Sequence, residues 1–164
     1  YTLSLHDALP ILLDPDVLFW LIQTTPEHEF FKTLSTVRRV LEPELAYIAA
    51  STANEEDIER IKQAYEGMEK ATTVEEFIEP DIQFHLAIAK ATHNDLLAYM
   101  SKMLVLPLQQ SIQVTSLRPN LQGHSLPRHK AILTAIENKD PLSARHASLV
   151  QLDDTKMAYD LIKK

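Results

Sequence analysis

Phe77-Ile78-Glu79-Pro80-Asp81-Ile82-Gln83-Phe84-His85-Leu86-Ala87-Ile88-Ala89 decides how this chain folds. Wound at about 100° per residue, the stretch places Phe77, Phe84 and Ile88 to one side of Asp81. Ile78 and Ala89 fall just beyond His85, and Glu79, Gln83 and Lys90 take the opposite face. Asp81 and His85 stand one turn apart, in the middle of the apolar face. A buried carboxylate and a buried imidazole each cost free energy unless they are paired, hydrogen-bonded or bound to a metal. The stretch therefore predicts a helix whose inner face needs polar partners from elsewhere in the chain.

The flanking sequence predicts more helices. Thr73-Val74-Glu75-Glu76 reads as a capping box that opens the Asp81 helix, and Pro80 as a bend or a new start within it. Asn54 caps a helix from Glu55 to about Lys70, with acids in its first turn. A long helix is expected from about Pro26 to Ser51, with Phe30, Phe31, Leu34, Val37, Leu41, Leu45 and Ile48 at helical period and Pro43 as a kink. Leu96 to about Thr115 reads as one long helix, kinked at Pro107, with Met100, Met103, Leu104 and Leu108 in the core. Arg118 to Ser125 reads as a loop. The next helix runs from Leu126 to Asn138 and places His129 among Leu126, Ile132, Leu133 and Ile136. Asp140-Pro141 opens the last, to about Lys163, with a stripe of Ala144, Ala147, Gln151, Ala158 and Ile162.

The remaining sequence divides into two short segments. Residues 1–11, Tyr1-Thr2-Leu3-Ser4-Leu5-His6-Asp7-Ala8-Leu9-Pro10-Ile11, resemble the conceptual translation of a sequencing-adapter oligonucleotide and are set aside as foreign. Residues 12–25 read as a connector with a short apolar helix opened by Asp14-Pro15 and carrying Trp20. Residues 26–164 are then the main domain. With 164 residues, 45% hydrophobic and 24% charged, the chain suits a single globular domain. Only two glycines, and few turn-residue clusters or alternating β-branched runs, favour an all-α bundle of six to seven antiparallel helices around a central cavity. No cysteine is present, so thiolate metal sites are excluded. No apolar run spans a bilayer, and a cytoplasmic location is expected. The net charge of -7 is a poor match for nucleic-acid phosphates, so DNA binding by this chain alone is not expected.

Arg38 repeats the anomaly of Asp81 and His85. It is flanked on its helix by Phe31, Leu34, Leu41, Leu45 and Ala49, and two accounts stand: an internal pair with Glu42 one turn on, or a cation held for an anionic ligand. Polar groups thus occupy the apolar faces of three helices: Arg38; Asp81 with His85; His129. Their convergence on one cavity explains all of them at once. A carboxylate with two imidazoles suits a borderline divalent metal such as Zn²⁺, Ni²⁺ or Mn²⁺. Thr115, Ser116 and Arg118 either line the mouth of that cavity or form a loop entrance. His124 and His146 are expected at the surface.

Three motifs carry a resemblance: Val37-Arg38-Arg39-Val40-Leu41-Glu42-Pro43, Asp81-Ile82-Gln83-Phe84-His85, and His129-Lys130-Ala131-Ile132-Leu133-Thr134-Ala135-Ile136. In order and spacing they resemble the C-terminal effector domain of FadR-type GntR transcription regulators, over roughly residues 12 to 160. Leu13-Asp14-Pro15-Asp16-Val17-Leu18 is similar to the connector of sugar-acid regulators in that group. The resemblance implies metal-ligand roles for Asp81, His85 and His129, and a small carboxylate or sugar-acid effector beside the metal. It implies a homodimer, and DNA contact through an N-terminal winged helix that is not found here; with the adapter-like start, a truncated reading frame is expected. It also implies a fourth, histidine, ligand on the last helix. That position falls on Gln151, and His146 lies about 140° around the helix from it. An amide is a poor ligand for a borderline metal, so the alternative is a metal-free pocket in which the histidines bind the acid and Arg38 clamps its carboxylate in two bonds. A metal-dependent enzyme acting on a small carboxylate is the second class of function, since Asp, His and His can activate water. No separate nucleophile or general base stands out, so a sensing module without catalysis is the favoured reading.

Overall fold

The computed structural model describes residues 24–115 and 121–162. Among them are seven helices and no strand: α1 Glu27–Thr52, α2 Glu55–Lys70, α3 Val74–Lys90, α4 Asp95–Met103, α5 Val105–Thr115, α6 Leu121–Glu137 and α7 Pro141–Ile162. α3 is the helix of the quoted stretch. It buries Phe77, Ile78, Asp81, Ile82, Phe84, His85, Ile88 and Ala89 and exposes Glu79, Gln83 and Lys90, as its periodicity requires. α1 packs along α7 and α2 along α3; α6 lies against both α7 and α2, and α3 is flanked by α2, α4, α1 and α5.

Local sequence explains the helix ends. Asn54 Oδ1 accepts from Asp57 N–H, and the Asp57 carboxylate accepts from Asn54 N–H, closing a reciprocal capping box at α2. At α3 the Thr73 hydroxyl caps Glu76 N–H, but the Glu76 carboxylate reaches back to Thr72 N–H and Oγ1 instead of Thr73, one residue beyond the expected box. Pro80 does not end α3. Its ring packs on α2 at Gly67, where a Cβ would stand 3.0 Å from Pro80 Cβ, so the missing side chain of Gly67 is what lets the two helices approach there.

Four expectations are corrected. The helix over 96–115 is two helices, divided at Leu104, and Pro107 lies in the first turn of α5. The expected loop at Arg118–Ser125 is helical from Leu121, because α6 begins five residues earlier than its apolar period. Val37 and Met100 are exposed, at 42% and 44%, and not core: Val37 lies with Thr33, Val40 and Glu44 on an exposed face of α1, and the division at Leu104 frees α4 to turn its Leu96, Tyr99 and Met100 face outward. Trp20 and its connector lie outside the described residues.

Candidate functional site

α3 and α6 bring the predicted ligands together. His129 Nε2 lies 2.9 Å from Asp81 Oδ1, and His85 Nε2 lies 4.0 Å from Asp81 Oδ2. Each of the three residues offers a ligand atom, and these atoms all lie within 4.8 Å of one another. The Phe84 ring meets the His129 and His85 rings edge-on, at centroid distances of 5.1 and 5.9 Å, and holds both imidazoles in place. All three polar residues are buried, His129 almost completely.

The hydrogen bonds of His129 define what it needs. Its Nδ1 is 2.9 Å from the Ser125 carbonyl oxygen, which can only accept, so Nδ1 carries the proton. In the neutral ring the Nε2 lone pair then faces the Asp81 carboxylate, two acceptors at 2.9 Å. Such a contact is favourable only with a positive charge between or on the two groups: a second proton on His129 or a metal ion. The first shows in the ionisation behaviour. Burial works against the charged form of His129, but Asp81 and the Ser125 carbonyl outweigh it and hold the imidazole above its ordinary range. Burial likewise opposes the Asp81 carboxylate, and His129, His85 and Arg38 together hold it below its ordinary range. His85 goes the other way: burial lowers it, in spite of Glu42 and Asp81. Among the described residues, His85 Nε2 and His129 Nε2 are buried without an aligned hydrogen-bond partner. Once His129 gives up its second proton, two ring nitrogens and a carboxylate oxygen converging on one point fit a divalent metal of the zinc or nickel type.

Arg38 pairs with Glu42, one turn along α1. Its Nε and Nη2 donate to the two Glu42 carboxylate oxygens, at 2.5 and 3.2 Å. This fork uses two of the five guanidinium N–H groups. Arg38 also lines a cavity of about 40 Å³ with Asp81, His129, Gln151, Ser111 and Thr155. That volume holds an ion and a few waters. Gln151 is buried, and its Oε1 has no hydrogen-bond partner. Thus Arg38, Asp81, His129 and Gln151 share one cavity wall, with His85 adjoining through Asp81. His124 is exposed but reaches the same rim, and His146 is exposed and remote from it. Thr115 ends α5; its side chain and the whole of Arg118 lie outside the described residues.

Glu42 is the site residue that the sequence reading treated only as a partner. Besides Arg38 it stands 3.5 Å from His85 Nδ1, so it joins the guanidinium to the imidazole cluster. Its spacing from Arg38 was the available signal. Burial opposes its charge, and Arg38 and His85 hold it below its ordinary range all the same. Ser125, which sets the His129 tautomer, lies one turn before it on α6; nothing in the sequence pattern pointed to it, because its turn was read as loop.

The structure therefore defines an all-α domain that buries a carboxylate–imidazole cluster beside a paired guanidinium. Residues 33–154 match the FCD domain family, and the chain belongs to that family, the effector domain of GntR-type transcription regulators. The chain is 29% identical over 143 residues to the galactonate operon transcriptional repressor of Escherichia coli (strain K12), covering 85% of this chain and 62% of that protein. It is 37% identical over 138 residues to the Uxu operon transcriptional regulator of the same organism, covering 75% of this chain and 51% of that protein. It thus spans about half to three-fifths of the curated relatives it matches. The fold matches Streptococcus agalactiae GntR with a TM-score of 0.73 at 22% identity, over 88% of this chain and 65% of that one.

Proposed function

We propose that this domain senses a small carboxylate, of the sugar-acid class, at the Asp81–His85–His129 cluster, for a bacterial transcription regulator whose DNA-binding part is a separate domain. The observation that carries the reading is the close approach of two buried groups, His129 Nε2 and Asp81 Oδ1, in a cluster whose imidazole Nε2 atoms have no aligned hydrogen-bond partner. Asp81, His85 and His129 would hold a divalent metal such as Zn²⁺, Ni²⁺ or Mn²⁺, and the metal would supply a positive centre for the acid's carboxylate. Arg38, at the same cavity wall, would bind that carboxylate with the N–H groups its fork with Glu42 leaves over. The sugar-acid class rests on the similarity to the galactonate repressor. A cavity of about 40 Å³ does not hold a sugar acid as it stands. Binding therefore requires the cavity lining to widen, and a change of shape on binding is what a sensor transmits. Recognition without turnover is supported by Glu42, the acid beside His85, being held by Arg38 and so ill placed to act as a base.

Thermal unfolding with galactonate and related sugar acids, with and without Zn²⁺, tests the reading. An acid that binds only the folded state raises the melting temperature by mass action. Arg38→Ala should abolish the shift given by the acid and spare any given by metal alone. Arg38→Lys should behave like Arg38→Ala, because an ammonium cannot reproduce a planar two-bond clamp. Equal stabilisation of wild type and Arg38→Ala would reduce Arg38 to the partner of Glu42. Turnover of a sugar acid by zinc-loaded protein would replace sensing with catalysis.

A further inference from the structure

The charges and donors at the cluster are unequal to a divalent ion on their own. Among the described residues, three side chains of metal-ligating type converge: Asp81, His85 and His129. The fourth polar group on the cavity wall, Gln151, is a neutral amide, buried, with its Oε1 unpartnered. Imidazoles must be neutral to ligate, so Asp81 brings the single negative charge among the ligands. Arg38 and Glu42 cancel each other through their two hydrogen bonds. Arg128 and Asp154, opposite in sign, stand at the wetter rim. A divalent ion bound alone would leave one uncompensated positive charge in a buried site. A carboxylate bound alone would add one uncompensated negative charge beside the Asp81–His129 pair. Both states carry a desolvation penalty that the neutral combination avoids.

We propose that the site takes a divalent metal and a monoanionic carboxylate as a pair, each greatly weakened without the other, and that Gln151 is the residue that enforces the pairing. This rests on the reading of the cluster as an effector site. Three protein donors also leave a borderline metal short of its usual coordination by at least one, and a carboxylate with a neighbouring hydroxyl supplies two oxygens. The metal is then a co-ligand that arrives with the effector, and metal and effector are linked reciprocally: each must raise the other's affinity by the same factor.

Calorimetric titration of the whole chain tests the pairing, with Zn²⁺ as the metal and acetate or glycolate as the carboxylate. The Zn²⁺ dissociation constant should fall by about tenfold or more in saturating glycolate, and that of glycolate by the same factor in saturating Zn²⁺. Acetate, which lacks the hydroxyl, should give the smaller factor. Gln151→Glu places the missing negative charge on the protein: Zn²⁺ alone should bind at least tenfold tighter, and the dependence on glycolate should vanish. Gln151→His adds a donor without charge, so it should tighten Zn²⁺ while part of the dependence survives. Circular dichroism checks that both variants fold, and the wild-type titration stands without them. A Zn²⁺ constant that is the same with and without either carboxylate overturns the pairing and leaves a metal-holding sensor intact. No binding of Zn²⁺, of either acid, or of the two together overturns the effector reading itself, and the pairing with it.

Discussion

Two buried aspartates in this domain each meet a histidine, and only one of them makes a site. Asp57, in the first turn of α2, accepts from Asn54 N–H at 3.0 Å, from Arg60 Nη2 at 2.5 Å and contacts His93 Nε2 at 2.7 Å. Its partners come from a cap, from one turn along the same helix and from the exposed His93, and they satisfy the carboxylate. Asp81 is buried as deeply, yet its imidazoles face it with Nε2 atoms that lack aligned partners, and a cavity opens beside it. The difference teaches that burial of an acid with a histidine says little about function. What distinguishes a binding site is polar capacity that the fold leaves unmet.

The largest effect that tests the contrast is on stability. His129→Ala leaves Asp81 buried without its closest cation and should cost about 3–5 kcal/mol in urea unfolding. His93→Ala removes a half-exposed partner from a carboxylate that keeps two donors, and should cost about 1 kcal/mol or less. Equal costs would break the comparison.

The next effect concerns metal. Zn²⁺ at one hundred times its dissociation constant, in the presence of a carboxylate ligand, should stabilise the wild type by about 2.7 kcal/mol. Asp81→Asn should lose that shift. Asp57→Asn should keep it, while losing about 1 kcal/mol of intrinsic stability with the reciprocal cap. If Asp57→Asn also loses the metal shift, the two clusters are coupled and the contrast blurs.

The smallest effect separates the clusters by pH. His129 is held above its ordinary value of 6.5 by Asp81 and the Ser125 carbonyl in spite of burial, so the stability it contributes is complete below 6.5 and is lost as pH rises through its folded value. Burial opposes the Asp57 carboxylate too, but the Asn54 N–H, Arg60 and His93 hold it below its ordinary value of 3.8. Its contribution is therefore complete above 3.8 and is lost as pH falls through its folded value. His129→Gln should flatten the alkaline limb of a stability–pH profile and Asp57→Asn the acid limb. A His129 resonance titrating below 6.5 by NMR in the metal-free protein would reverse the sign for the site.

The sequence by itself determined the helical class, the inner face of α3, the caps at Asn54 and Thr73 and the polar residues that had to be accounted for. These follow from the helical period and from side chains acting within one turn, which are properties of consecutive residues. It did not determine where the helix after Asn94 divides, that α6 starts at Leu121, or that Val37 and Met100 face outward, because neighbouring elements decide those matters. The burial cost of Asp81, His85 and His129 announced that partners must exist, but not which; for Arg38 the helical spacing offered Glu42. Only the tertiary structure set His129 against Asp81 and Glu42 between Arg38 and His85, and put Gln151 on the same cavity wall. Those contacts join residues far apart in the chain, and each is fixed by how α1, α3, α6 and α7 pack. A local pattern records that a charge is buried; the identity of what compensates it belongs to the packing of the whole domain.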